Sequence, residues 1–117
     1  MIKSFKDLEI YKSSKEMLKA IYKITEKYPE TEKYNIISQL KRCSLSIVLN
    51  IAEGYGRQSK EDFKRFLKIS LGSSNETEAI LEISKELKYI SDEEYWVISK
   101  ENDEIGKMIY SMIQKWK

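Results

Sequence analysis

The sequence has no histidine, one cysteine, one proline and four glycines in 117 residues. Each shortage excludes something. Without histidine the chain lacks the side chain used most often as a general base and as a metal ligand. A lone cysteine, Cys43, forbids an intrachain disulfide. So few prolines and glycines leave few places to turn, which predicts few, long elements. No apolar run nears the ~20 residues of a membrane span, and the opening MIKSFKDLEIYK lacks the apolar stretch of a secretion signal. A reduced, cytoplasmic compartment is therefore expected, with no membrane partner. Asn75-Glu76-Thr77 matches a glycosylation sequon, which has no meaning without secretion.

What is present is ordinary for a helical domain: 41% hydrophobic and 34% charged residues. The length predicts one domain, residues 1–117, with one small core. The net charge of +2 hides a gradient. Residues 1–28 carry seven lysines against four acids, and residues 90–117 carry four basic groups against six acids. This is a weak dipole and not a strongly cationic surface.

Apolar spacing of three and four dominates and predicts four helices. The first runs from about Phe5 to Tyr28 and stops at Pro29. The second starts near Thr31 or Glu32, carries Ile36, Leu40, Cys43, Ile47 and Ile51 on its stripe, and ends at Gly54 and Gly56 with a left-handed cap. The third starts at Ser59, which with Asp62 resembles a capping box. Phe63, Phe66, Leu67, Ser70, Ser74, Ile80, Leu81, Ser84 and Leu87 form its inner face. The fourth starts at Ser91, where Ser91 and Glu94 form a full capping box, and its stripe runs from Tyr95 through Ile98, Ile105 and Ile109 to Trp116. Four helices with short breaks and no strand-like alternation spell an all-α, antiparallel up-down-up-down four-helix bundle.

A second row lies beside the apolar stripe of the second helix. Gln39, Arg42, Ser46, Asn50 and Glu53 are spaced three, four, four and three, so they fall in one line. Arg65, Ser73 and Glu76 form a possible counterpart on the third helix, near the small residues Gly72 and Ser74. Residues 43–52 carry no charge, and lysine is absent from 43 to 59 in a lysine-rich chain. This favours a mostly buried row over a solvated one, with its polar groups paired and Glu53 matched to Arg42, Arg57 or Arg65.

The string QLKRCSLSIVLNIAEGYGRQSKEDFKRFLKISLGSSNETEAILE, with FKDLEIYKSSKEM and YPETEKY before it, closely resembles the signature of the bacterial S23 family of 23S rRNA intervening-sequence proteins. Asn50-Ile51-Ala52-Glu53-Gly54, Arg65-Phe66-Leu67 and Gly72-Ser73 carry the match. The resemblance implies four-helix bundles that assemble as homopentameric rings. It also implies a kinship with accessory proteins of diversity-generating retroelements, which bind a reverse transcriptase and nucleic acid. Two positions depart from the family pattern: Val48 stands where a proline is usual, and Cys43 where an alanine is. Without that proline the second helix should run straighter.

Lys12, Lys15, Lys19, Lys23 and Lys27 make a cationic row on the first helix, and Lys60, Lys64 and Lys68 a second on the third. They can neutralise phosphates of RNA or DNA. Plain solvated faces explain them as well, and are favoured. Tyr34, Tyr55 and Tyr89 could stack on bases, or cap the core with the hydroxyl in water. Gly54-Tyr55-Gly56 follows no strand and precedes no Gly-Lys-Ser, so a nucleotide loop is not expected. Glu53, Glu76 and Glu78 lack the histidine partners of a carboxylate-bridged metal site. No metal, cofactor or catalytic set is expected. The reading is a non-enzymatic oligomeric scaffold, with a nucleic-acid-binding accessory protein as the alternative.

Overall fold

The computed structural model describes residues 4–57 and 59–115. Among these residues the regular elements are helices only. The four α-helices are α1 (Glu9–Ile24), α2 (Ile36–Tyr55), α3 (Lys60–Glu86) and α4 (Asp92–Lys115). Short 3-10 turns at Phe5–Asp7, Thr25–Lys27 and Glu30–Glu32 absorb the ends expected of the first two helices. Trp116, expected on the fourth stripe, lies outside the described residues. The chain is 43 Å along its longest axis, about the length of its longest helix at ~1.5 Å per residue.

The starts of α3 and α4 are built as the capping rules require, whereas α1 and α2 begin without a side-chain cap. Ser91 Oγ accepts from the Glu94 amide at 3.0 Å, and the Glu94 carboxylate accepts from the Ser91 amide at 2.8 Å. Ser59 Oγ accepts from the Asp62 amide at 3.1 Å. A further capping box, Ser4 with Asp7, opens the first 3-10 turn. Lys27 pairs with Glu94 and ties the end of α1 to the start of α4. Its ammonium, and then the Ser91 amide, hold the Glu94 carboxyl below the usual glutamate range.

The expected left-handed glycine caps are absent. Gly54 lies inside α2, Gly56 is right-handed at φ −74°, and no described glycine has positive φ. Gly54 serves packing instead. A Cβ placed there would sit 2.7 Å from Phe66 Cβ and 2.9 Å from Phe63 Cδ1, so only a bare backbone fits. The left-handed position falls on Lys88, with φ 65°. There the Tyr89 amide donates to the Ser84 carbonyl and the Lys88 amide to the Lys85 carbonyl, each at 2.9 Å, a Schellman ending without its usual glycine.

Met17, Ile21, Leu40, Ile47, Ile51, Leu67, Leu81, Ile105 and Ile109 are fully buried and come from all four helices. Each such side chain contributes about 1.5–3 kcal/mol by leaving water. α2 packs on α1 and α3, and α4 likewise on α1 and α3. So α1 and α3 face each other across the bundle, and the α2–α3 contact is the most extensive.

Lys88→Gly removes the steric penalty of a side chain at positive φ and should raise unfolding free energy by about 0.5–1 kcal/mol. Urea denaturation checks this; an unchanged or lowered midpoint would show that the ending holds no such strain.

Candidate functional site

The α2–α3 seam is made of small and hydroxylated residues. Ser70 Oγ donates to the Ile47 carbonyl at 2.9 Å. Thr77 Oγ1 donates to the Ser73 carbonyl at 2.8 Å and lies 3.2 Å from Cys43 Sγ. Burial, more than any neighbour, pushes the Cys43 thiol up from its usual range, which makes it a packing group and not a nucleophile. At the outer edge of the seam Ser73 Oγ donates to Ser46 Oγ at 2.9 Å. Asn50 Nδ2 donates to Ser46 Oγ at 3.0 Å and to the Ser46 carbonyl at 2.8 Å. The bonded residues run in opposite order: Cys43, Ser46 and Ile47 on α2 meet Thr77, Ser73 and Ser70 on α3.

The polar row of α2 is thus two things. Ser46 and Asn50 are half-buried and satisfied within the chain, with Ser73 joining from α3. Gln39, Arg42 and Glu53 are exposed, so the expectation of a mostly buried row is corrected for these three. They project outward from the bundle, because the helix turns them past the seam. Of the three arginines considered for Glu53, the structure selects Arg57, at 3.0 Å, in an exposed i,i+4 pair. Arg65 pairs with Asp62 at 3.4 Å instead. Arg57 and Arg65 also lie against the Phe66 ring, at 4.9 and 4.7 Å from its centroid. Glu76 is exposed. Gly72 looks into open space, and Ser74 faces α4 and not α2.

Beside the row the surface is apolar. Leu49 is 55% exposed and Ile69 43%. They place apolar surface on α2 and α3 where water meets hydrocarbon, while half of the uncharged run 43–52 is buried in the core.

A second feature was not anticipated from the sequence. A groove of about 1270 Å³ runs between α3 and α4. Its floor holds a buried pair: Ser74 Oγ donates to Asn102 Oδ1, and Asn102 Nδ2 donates to the Ser74 carbonyl, both at 2.9 Å. Along one side the Glu78 carboxylate accepts from Ser99 Oγ at 2.8 Å and from the Tyr95 hydroxyl. That carboxylate holds the Tyr95 phenol above its usual range. Trp96, 63% exposed, and Tyr110, 56% exposed, stand at the two ends, with Gly106 between them. The sequence does carry a signal for the floor: Asn102 is an amide in the apolar stripe between Ile98 and Ile105.

The two lysine rows do not meet. They sit on α1 and α3, which α2 and α4 separate. Lys12, Lys23, Lys60 and Lys68 are exposed, and Lys64 is half-buried. Lys15 lies over the Tyr11 ring, and Lys19 pairs with Glu16 at 3.0 Å. Tyr34 is exposed, Tyr55 packs edge-on to Phe63, and the Tyr89 hydroxyl donates to Glu32 at 2.7 Å. Among the described residues no group of His, Cys, Asp or Glu is placed to hold a metal, and no helix is long and apolar enough to cross a membrane.

The family model for 23S rRNA-intervening sequence proteins matches residues 6–111. The chain belongs to this family. A solved structure from the S23 ribosomal protein family, a protein of unknown function from Bacteroides thetaiotaomicron VPI-5482, is similar with a TM-score of 0.80. The two are 34% identical over 89% of this chain and 97% of that one. No curated protein matches the chain.

Glu53→Ala removes an exposed ion pair and should change stability by less than about 0.5 kcal/mol. Thermal or urea unfolding measures it; a loss above about 2 kcal/mol would return Glu53 to a buried, paired role.

Proposed function

We propose that the protein is a non-enzymatic cytoplasmic scaffold, a single antiparallel up-down-up-down bundle that assembles with copies of itself into a ring of about five. The observation that carries this is the α2–α3 face. It presents Leu49 and Ile69 to solvent beside the satisfied Ser46–Asn50–Ser73 network. On this face the exposed apolar side chains stand among Arg42, Glu53, Arg65 and Glu76, a mixed apolar and charged surface suited to a specific protein contact. The opposite chain order of the bonded residues on α2 and α3 supports the antiparallel arrangement. The row Gln39, Arg42, Asn50, Glu53, Arg65, Ser73 and Glu76 supplies the specificity of the contact. Glu53 and Arg65 are already paired within the chain, with Arg57 and Asp62, and Arg42 and Glu76 find their mates in a neighbouring copy. The ring needs no cofactor.

A second reading keeps a specific support: Lys12, Lys23, Lys60 and Lys68 are exposed and in no ion pair among the described residues. A ring would repeat these lysines and multiply weak contacts to RNA or DNA.

Sedimentation velocity on the full chain tests the first reading. A single species of about five chains at micromolar concentration is expected, and a monomer would overturn it. Filter binding of structured RNA at two salt concentrations tests the second. Phosphate contacts should weaken about tenfold or more between ~50 and ~200 mM salt, and no retention at low salt would exclude them.

A further inference from the structure

The α2–α3 face and the α3–α4 groove are neighbouring sides of one bundle, since both border α3. Their heights along the bundle can be compared through the hydrogen bonds that cross it. Ser46 bonds Ser73, and Ser74 bonds Asn102, so Ser46 and Asn102 lie at one level. From that level Leu49 lies three residues along α2 and Gly106 four along α4, in the same direction, about 4.5 and 6 Å away. In the other direction Glu76 lies three residues along α3 and Lys100 two along α4, about 4.5 and 3 Å away. Arg42 lies on the same side, four residues from Ser46 and about 6 Å away, close to the level of Glu78, which lies four residues from Ser74.

The two surfaces match at these heights. Leu49 is an exposed apolar knob, and Gly106 is a gap in the groove wall. Glu76 and Lys100 are opposite charges, both exposed and in no ion pair among the described residues. Arg42 is a cation equally without an ion pair, and its counterpart offers a carboxylate and an indole face.

We propose that the α2–α3 face of one copy seats in the α3–α4 groove of the next, with Leu49 entering the gap at Gly106 and Glu76 pairing with Lys100. This rests on the ring reading above and assigns its interface. The contact is head-to-tail: the two surfaces differ, so each copy offers a face and a groove. Neighbouring sides of a four-cornered bundle diverge by about 90°, and a head-to-tail ring of four to five copies needs about 90–108°. Opposite sides would instead build a filament.

The test uses the full chain and begins with wild-type sedimentation. A wild-type monomer removes the ring and this interface together. If the wild type assembles, Leu49→Asp and Gly106→Trp should each yield monomers that keep the helical circular-dichroism spectrum. A Cβ at Gly106 makes only ordinary contacts within its own copy, 3.6 Å from Ser74 Oγ and 3.8 Å from Leu71 Cδ1. Val97→Asp, exposed on the other flank of α4, should leave the ring intact. Glu76→Lys and Lys100→Glu should each weaken assembly about tenfold at low salt, and the double reversal should recover most of it. The pair Leu49→Cys and Gly106→Cys in one chain should form covalent ladders on oxidation, and neither change alone should. An oligomer of unchanged size in both Leu49→Asp and Gly106→Trp would overturn the interface and leave the ring. So would covalent dimers from Leu49→Cys alone, which would mean a two-fold contact.

Discussion

The close approach of α2 and α3 is the constraint on which the rest depends. It exists because Gly54 has no side chain where Phe63 and Phe66 press in, and because Ser70, Ser73 and Thr77 are small enough to meet the Ile47 carbonyl, the Ser46 hydroxyl and the Cys43 thiol of α2. Their hydroxyls are satisfied by carbonyls, by each other or beside the Cys43 thiol, so the seam excludes water without leaving orphaned donors. With larger residues here the helices would separate and the core layers of Ile47, Ile51 and Leu67 would lose contact. A seam this narrow also throws the next positions of both helices outward. Leu49, Arg42 and Glu53 on α2 and Ile69 and Glu76 on α3 have no space within the chain, and they become surface.

That surface and the groove on the adjoining side of the bundle both border α3, and α3 sets both. Ser74, on its inner side, pairs with Asn102 and floors the groove; Ser73, its neighbour, pairs with Ser46 at the seam. One helical step thus fixes the height of α2 against α4. The two neighbouring surfaces therefore share one register, and the proposed head-to-tail contact has a defined alignment. The family membership agrees with the fold and leaves the role to be argued from these surfaces.

The helices were legible in the sequence because local physics specifies them. Three- and four-residue apolar spacing, the Ser91–Glu94 box, Ser59 and Pro29 all act within a few residues. The row of α2 was legible as a line but not as an environment: periodicity puts Gln39, Arg42, Ser46, Asn50 and Glu53 together, yet the row straddles the boundary where α3 ends and solvent begins. Glycine was misjudged for a related reason. Gly54 reads locally as a stop and is in fact a hole for two phenylalanines. Lys88 takes the left-handed turn without any local sign, because tertiary packing of Tyr89 and Ile90 dictates where the chain must reverse.

By itself the sequence determined the number of α-helices, the starts of α3 and α4, the buried stripe and the exclusion of histidine chemistry. These follow from short-range spacing and from composition. Only the tertiary structure decided which polar residues are satisfied, that the lysine rows of α1 and α3 are kept apart by α2 and α4, and that Trp96, Gly106 and Asn102 share a groove. Those facts depend on which helix lies beside which and at what height. Side chains many residues apart set both, through contacts that no local pattern encodes.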